Sequence, residues 1–434
     1  MRKLLLEILR NSIEVVEPYK LVKKQVILNR DIFKIKDNIY NINDFNKIIV
    51  IGGGKATASI ACAIEEIFKD KISDGIINVK YGYREELRKI RIIEAGHPIP
   101  DKKGVDGTKE IIKLINKKEP NNLILCLISG GGSALLCSPS DGITLKDKQI
   151  TTDLLLKCGA NIEEINIVRK HISKVKGGRI VRLAYPAKVI SLILSDVIGD
   201  KLDIIASGPT VADRSYFKDA MEVLKKYELW NKIPGSVKNH IEAGPDETPK
   251  PGDKIFDRVD NMIIGNNLFL LTHVKRLLEG KGFNSIILSS IIEGEAREVA
   301  KFHASIVKEI LITGNPIPPP AAIISGGELT VTVKGSGIGG RNLEFSLAMA
   351  QEIQGLNNII GMSIGTDGTD GPTNAAGAFF DGSTIDKGKK QGMNAEEFLM
   401  RNDSYNFFKN IGDIIITGPT KTNVMDLRTI LVNK

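Results

Sequence analysis

Aromatic side chains make up only 5% of this 434-residue chain, with a single tryptophan among them. Proteins that hold single-stranded nucleic acid need rings on which bases stack, so the net charge of +8 does not read as a nucleic-acid footprint. The lysines are interspersed with glutamates along helical stretches such as KKYELWNK, the pattern of a solvated surface. No run of eighteen or more apolar residues exists, so nothing reads as a membrane span. The four cysteines, at 62, 126, 137 and 158, form no CxxC pair. A disulfide framework and a zinc site are therefore not indicated, and small buried thiols in a reducing cytoplasm are expected. The opening MRKLLLEILRNSIEVVEPYK carries glutamates and helical periodicity but no small-residue cleavage site, so it reads as an amphipathic first helix rather than a targeting peptide.

What the chain has is length, glycine and a repeated strand-turn-helix pattern. Its length exceeds one ordinary domain, and two or three cores are the prior. KIIVI at 47–51 leads through a glycine turn into ATASIACAIEEIF; LILCLI at 123–128 leads into SGGGSALL; AKVISLILS at 187–195 ends at the acidic loop DVIGDKLD. Apolar strands alternating with helices predict an open parallel sheet with ligands at the carboxyl ends of its strands. A polar, proline-rich stretch, AGPDETPKPGDKIF, marks a junction near 243–256, and NPIPPPAA at 315–322 marks a second break. The expected division is 1–240 as a Rossmann-like α/β domain and 241–434 as a second α/β domain, with the first helix free to pack on the second.

Three glycine-rich turns crowd the last quarter: GSGIGGRN at 335–342, GTDGTDGPT at 365–373 and GPTKTN at 418–423. Each follows an apolar run that reads as a strand, LTVTV at 329–333, NIIGMSI at 358–364 and IIIT at 414–417. Glycine at a strand's carboxyl end lets backbone N–H groups approach an anion. With Arg341, Asp367 and Asp370 alongside, these are the components that phosphoryl transfer requires. GxGxxG at 335–340 also fits a dinucleotide fingerprint, with Asp367 as the ribose acid, although a second charge at Asp370 exceeds what a ribose needs. GGGK at 52–55 is not a P-loop, and Lys55 reads equally well as a solvated turn lysine. SGGGS at 129–133, between apolar flanks, reads as an anion nest. NIVRKHISKVKGGR at 166–179 reads by default as a basic solvated helix, with His171 satisfied locally. Asp196 follows a buried strand, with Asp200 and Asp203 close by; a metal ligand, a base and a helix cap are all open to it.

SGGGSALL, NxVRKHxSxxKGGR, LSDVIGDKLDIIASGPTVAD, SGGE, GxGGRNLEF, GTDGTDGPTNAAGA, NDSYNFF and GPTxTNVxDL together resemble the class II glycerate kinases, over nearly the whole chain. Lys421 departs from the glycine expected between GPT and TN, and Met425 stands where a small polar residue is usual. The resemblance implies two α/β domains with the active site in the cleft between them, and ATP-dependent phosphorylation of D-glycerate at its 2-hydroxyl with Mg2+ or another divalent cation. Carried over, it points to Lys55, Asp196, Arg341, Asp367 and Asn423. Lys55, Asp196 and Arg341 are the expected catalytic residues. Ser129, Gly130, Gly131, Gly132 and Ser133, together with Gly337, Gly339 and Gly340, are the expected phosphate and nucleotide contacts. Asp367 and Asn423 stand next to substrate or metal, and Asp367 or Asp200 is the expected metal ligand. The partners implied are small molecules, D-glycerate and ATP, with no nucleic acid and no membrane; a homodimer is admitted but not required. An NAD-dependent hydroxypyruvate reductase and a noncatalytic sensor of organic phosphates are the competing readings.

Overall fold

The computed structural model describes residues 1–433, which fall into two compact units. One runs from Pro18 to Ile264. The other joins Met1–Glu17 to the chain from Gly265 onward.

In the Pro18–Ile264 unit a three-stranded antiparallel sheet comes first: β1 (Val26–Asn29), β2 (Ile32–Ile35) and β3 (Asn38–Asn41). The main sheet contains β4 (Lys47–Gly53), β5 (Ile72–Lys80), β6 (Ile90–Ala95), β7 (Asn122–Ile128), β8 (Lys188–Leu194) and β9 (Val259–Gly265), in the order β6-β5-β4-β7-β8-β9. Every pairing from β6 across to β8 is parallel, as the alternation of apolar runs and helices predicts. Strand β7 is buried along its whole length, so NLILCLI needs no polar face. The sheet reaches past residue 240, because VDNMIIG pairs into it as β9. Helix starts here are fixed by side chains: Thr144 with Asp147, and Asn161 with Glu164, form capping boxes.

The second unit holds β10 (Asn284–Ile292), β11 (Ala321–Gly327), β12 (Ile359–Gly365), β13 (Gly377–Asp381), β14 (Ile414–Ile415) and β15 (Asp426–Val432), ordered β10-β11-β15-β12-β13-β14. Only β10 and β11 run parallel; the other pairings are antiparallel, so this sheet is mixed. The helix Arg2–Val15 belongs to this unit and buries Leu5, Ile8 and Leu9. LTVTV is not the strand its alternation predicts. Thr330 makes one isolated bridge to Glu295, Thr332 donates to the Glu295 carboxylate, and Val333 is exposed, so the segment has no strand to pair with.

His303, on the helix Ala296–Thr313, is fully buried between Ser325, 2.9 Å from its Nε2, and the Phe345 ring. Burial lowers its pKa to about 4. An unfolded histidine titrates near about 6.5, so as pH falls through that value the unfolded chain takes up a proton that the folded chain refuses. Stability present above about pH 6.5 is thus lost down to about pH 4. Asp370, raised to about 6, works in the opposite direction over part of this window. His303→Gln isolates the histidine: urea unfolding at about pH 7 and about pH 4 is expected to show the variant gaining roughly 3 kcal/mol on the wild type between them.

Candidate active site

Parallel pairing brings the carboxyl ends of β4, β7 and β8 side by side, and with them three of the motifs. Lys55 follows β4, and its backbone N–H donates to Gly130 O at 2.8 Å. Ser129 Oγ accepts from Ala56 N at 3.0 Å and lies 3.1 Å from Thr57 Oγ1, so the two turns are stitched together. Gly131 has φ of 85°, the left-handed region that suits glycine, and opens the short helix Gly132–Leu135. Ser133 Oγ is 3.1 Å from Ser207 Oγ, which in turn donates to Asn166 at 2.8 Å.

Close approach explains the glycines. A Cβ on Gly130 would lie 2.0 Å from Asp196 Oδ2, and one on Gly131 would lie 2.9 Å from His97 Nε2 and 3.4 Å from Lys55 Cγ. The loop is therefore packed directly between a carboxylate, an imidazole and a lysine. His97 was not singled out from the sequence. Burial, with Lys55 and Lys80 nearby, depresses its pKa to about 4, so it is neutral at physiological pH. Asp200 ends a single 3-10 turn, with φ of 53°. Gly130→Ala must push the Asp196 carboxylate aside. Displacements of about 1 Å cost on the order of 100-fold in rate, and a fall of that size in kcat with the circular dichroism unchanged is expected.

The second unit arranges its charged residues differently. Arg341 opens the helix Arg341–Glu352, but its guanidinium is engaged: Nε lies 2.9 Å from Asp426 Oδ2, Nη2 2.9 Å from Oδ1, and Nη1 3.1 Å from Glu328. Asp426 also takes Arg428 Nη2 at 2.8 Å, and both of these side chains are fully buried. Asp370 is not half of a solvent-facing acid pair. It is buried and accepts from Asn342 N at 3.0 Å and Leu343 N at 2.8 Å, capping the Arg341 helix. Burial is the main cause of its raised pKa.

The GxGxxG segment follows no strand, so it lacks the strand-turn-helix context of a dinucleotide fingerprint. Asn402 Oδ1 takes the N–H groups of Lys334 and Gly335, and Asp403 takes that of Ile338. Cβ atoms on Gly337, Gly339 and Gly340 would meet Asp403, Ser404 and Asp370 at 2.4 Å each. These glycines let the chain pack against the 401–404 loop and the helix cap. Lys421 adopts φ of 60°, the backbone conformation that a glycine would take there. Asn423 Oδ1 accepts from Met425 N at 3.0 Å.

Among the described residues no group of three or more His, Cys, Asp or Glu is placed to cage a metal. Magnesium does not require such a cage, since it keeps several waters and takes one or two carboxylates plus phosphate oxygens. Asp367 fits that role. Its Oδ1 holds the turn by accepting from Thr369 N and Oγ1, each at 3.0 Å, and the second oxygen has no protein partner among the described residues.

The NIVRKHISKVKGGR stretch is the largest departure from the sequence reading. Instead of a solvated helix it is an interior network: Lys170 pairs with Asp213 at 3.3 Å, His171 Nε2 lies 2.9 Å from Glu247, and Lys176 Nζ donates to Ala206 O at 3.1 Å. Arg179 is held by Asp246. No helix among the described residues is long and apolar enough to cross a membrane.

Residues 4–242 match a family described as a domain of unknown function, DUF4147, and residues 321–426 match the MOFRL family. The Pyrococcus horikoshii protein named glycerate 2-kinase is 42% identical, over 98% of this chain and 95% of its own. The Thermotoga maritima D-glycerate 2-kinase is 44% identical over 98% and 97%, and a solved glycerate kinase structure from that organism aligns with TM-score 0.90 and 43% identity, covering 99% of both chains. An Agrobacterium vitis protein named putative hydroxypyruvate reductase is 39% identical over 89% of this chain and 87% of its own. With likeness at this level along nearly its whole length, the chain belongs to the glycerate kinase family.

Proposed function

We propose that this protein transfers the terminal phosphoryl group of ATP to the 2-hydroxyl of D-glycerate. The observation that carries the reading is the convergence of Lys55, the Ser129–Ser133 loop and Asp196 at the carboxyl ends of β4, β7 and β8, in a chain so similar to the Thermotoga D-glycerate 2-kinase. Phosphoryl transfer needs charge neutralisation and positioning more than covalent chemistry. Lys55 supplies the positive charge, and the left-handed turn at Gly131 supplies backbone donors for phosphate oxygens. Asp196 orients the acceptor hydroxyl and takes its proton. In the second unit Asp367 would hold the divalent cation, with Asn423 as a neighbouring group; Asp200, in the Pro18–Ile264 unit, is the alternative ligand. A bound magnesium ion supplies further neutralisation of the phosphate oxygens. Arg341 and the turn at Gly337, Gly339 and Gly340 frame this second set.

The reductase reading is the weaker one. Its main support is the GxGxxG turn, which follows no strand, whose Gly335 and Ile338 N–H groups are taken by Asn402 and Asp403, and whose glycines pack against protein. The test is to incubate the protein with D-glycerate, ATP and magnesium and couple the product to enolase, which accepts 2-phosphoglycerate and not the 3-isomer. Signal without added phosphoglycerate mutase is the expected result. ADP formation with signal only after mutase is added would move the phosphate to the 3-position. NADH consumption with hydroxypyruvate, and no ADP, would replace the kinase by the reductase.

A further inference from the structure

Behind the Ser129–Ser133 loop lies a cavity of about 210 Å3, lined by His97, Gly131, Ser133, Lys148, Arg169 and Lys176, together with Pro98, Pro100, Ala134 and Thr152. Three of these side chains are cations and none is an acid. Lys148 is only 4% exposed, and its Nζ has no hydrogen-bond partner among the described residues. Lys176 is 1% exposed and reaches a single acceptor, the carbonyl of Ala206.

Buried ammonium groups are costly unless paired. Burial pushes Lys148 and Lys176 below their usual range, and Arg169 adds to the effect on both. The only opposing influence on either is the Cys137 thiol. Elsewhere in this unit buried cations have carboxylate partners, as Lys170 has Asp213 and Arg179 has Asp246. The contrast points to a partner that is not part of the chain.

We propose that this cavity is an anion subsite that receives the carboxylate of the small acid substrate, with Lys148, Arg169 and Lys176 as its binding residues. Size selects the acid over a nucleotide: about 210 Å3 is below the roughly 300–1,000 Å3 of sites for drug-sized ligands. Position selects it too. Gly131 and His97 line the cavity and also meet the Lys55 side of the loop, whose neighbour Gly130 meets Asp196. A carboxylate held here leaves the rest of a three-carbon acid beside the loop on which the kinase reading places the chemistry. That the acid is D-glycerate rests on that reading.

The test compares wild type with Lys148→Met, which keeps the stem of the side chain, and with Arg169→Gln, a less buried change should the first variant unfold. Calorimetric titration with D-glycerate, with glycerol, and with a nonhydrolysable ATP analogue reads binding without turnover, and steady-state kinetics read each KM. Loss of a hydrogen bond to a charged group weakens binding by about 10- to 150-fold. A change of that size is expected in the affinity and KM for D-glycerate, with the nucleotide within about twofold and the preference for glycerate over glycerol lost. Unchanged glycerate affinity in both folded variants overturns the subsite, as does a loss confined to the nucleotide or a wild type that binds no D-glycerate. Glycerate binding that depends on Lys148 in a protein that makes no ADP upholds the subsite and sinks the kinase instead.

Discussion

Lys55→Ala is expected to lower kcat by about 100-fold or more while the protein remains folded. The expectation rests on what Lys55 does not do in the fold. Its backbone fixes the β4 turn through Gly130 O, and that bond survives the substitution. Its side chain is half-buried and pairs with no carboxylate among the described residues, so truncation strips no partner bare. It lies instead against Gly131 and His97, a neutral imidazole, leaving its charge available to a ligand. A cation aimed at developing negative charge acts more strongly in the transition state than in the ground state. The loss should therefore fall on kcat more than on KM for either substrate. Coupled assays with thermal unfolding as a control are sufficient, and near-normal kcat in a folded variant would remove Lys55 from the reaction.

The largest effect on stability is expected at Asp426. Its carboxylate is the shared partner of Arg341, Arg428 and Asn342, and Arg428 is fully buried with one other acceptor, Gly326 O. Asp426→Ala leaves a buried guanidinium without its counter-charge, a change that costs about 3–5 kcal/mol. Urea unfolding should show the midpoint fall with the slope nearly unchanged. A loss below about 1 kcal/mol would mean that solvent reaches the cluster and screens it. Because Arg341 is bound into this cluster, Arg341→Ala is expected to cost stability as well as turnover, so its activity is interpretable only beside an unfolding curve.

The parallel sheet was legible because its signal is local: buried β4, β7 and β8 are near-continuous apolar runs, and each ends in a turn of glycines or an acid. Once those strands are parallel, Lys55, the Ser129–Ser133 loop and Asp196 must meet, since all three follow carboxyl ends. The basic cavity was not legible. Lys148, Arg169 and Lys176 are spaced like solvated residues, and only the packing of separate helices and loops gathers them round one cavity. LTVTV misleads for the same reason in reverse, because alternation is read from one segment whereas a strand needs a neighbour. Asp370 illustrates a third limit. An acid in a glycine turn looks like a ligand until a helix start more than twenty residues upstream in sequence is seen resting on it.

Strand β15 is the last of its six to be made, yet it stands in the middle of the sheet, hydrogen-bonded to β11 on one side and β12 on the other. On a ribosome, then, the two halves of that sheet have no shared neighbour until the final segment emerges. The helix Arg2–Val15, synthesised before the Pro18–Ile264 unit, belongs with residues from Gly265 onward. At about 5–20 residues per second it waits on the order of tens of seconds for them, while the Pro18–Ile264 unit can close in the interval. Biogenesis thus runs from the inside of the chain outward, with the apolar face of an amphipathic helix, Leu5, Ile8 and Leu9, to be kept from other partners until its own unit arrives.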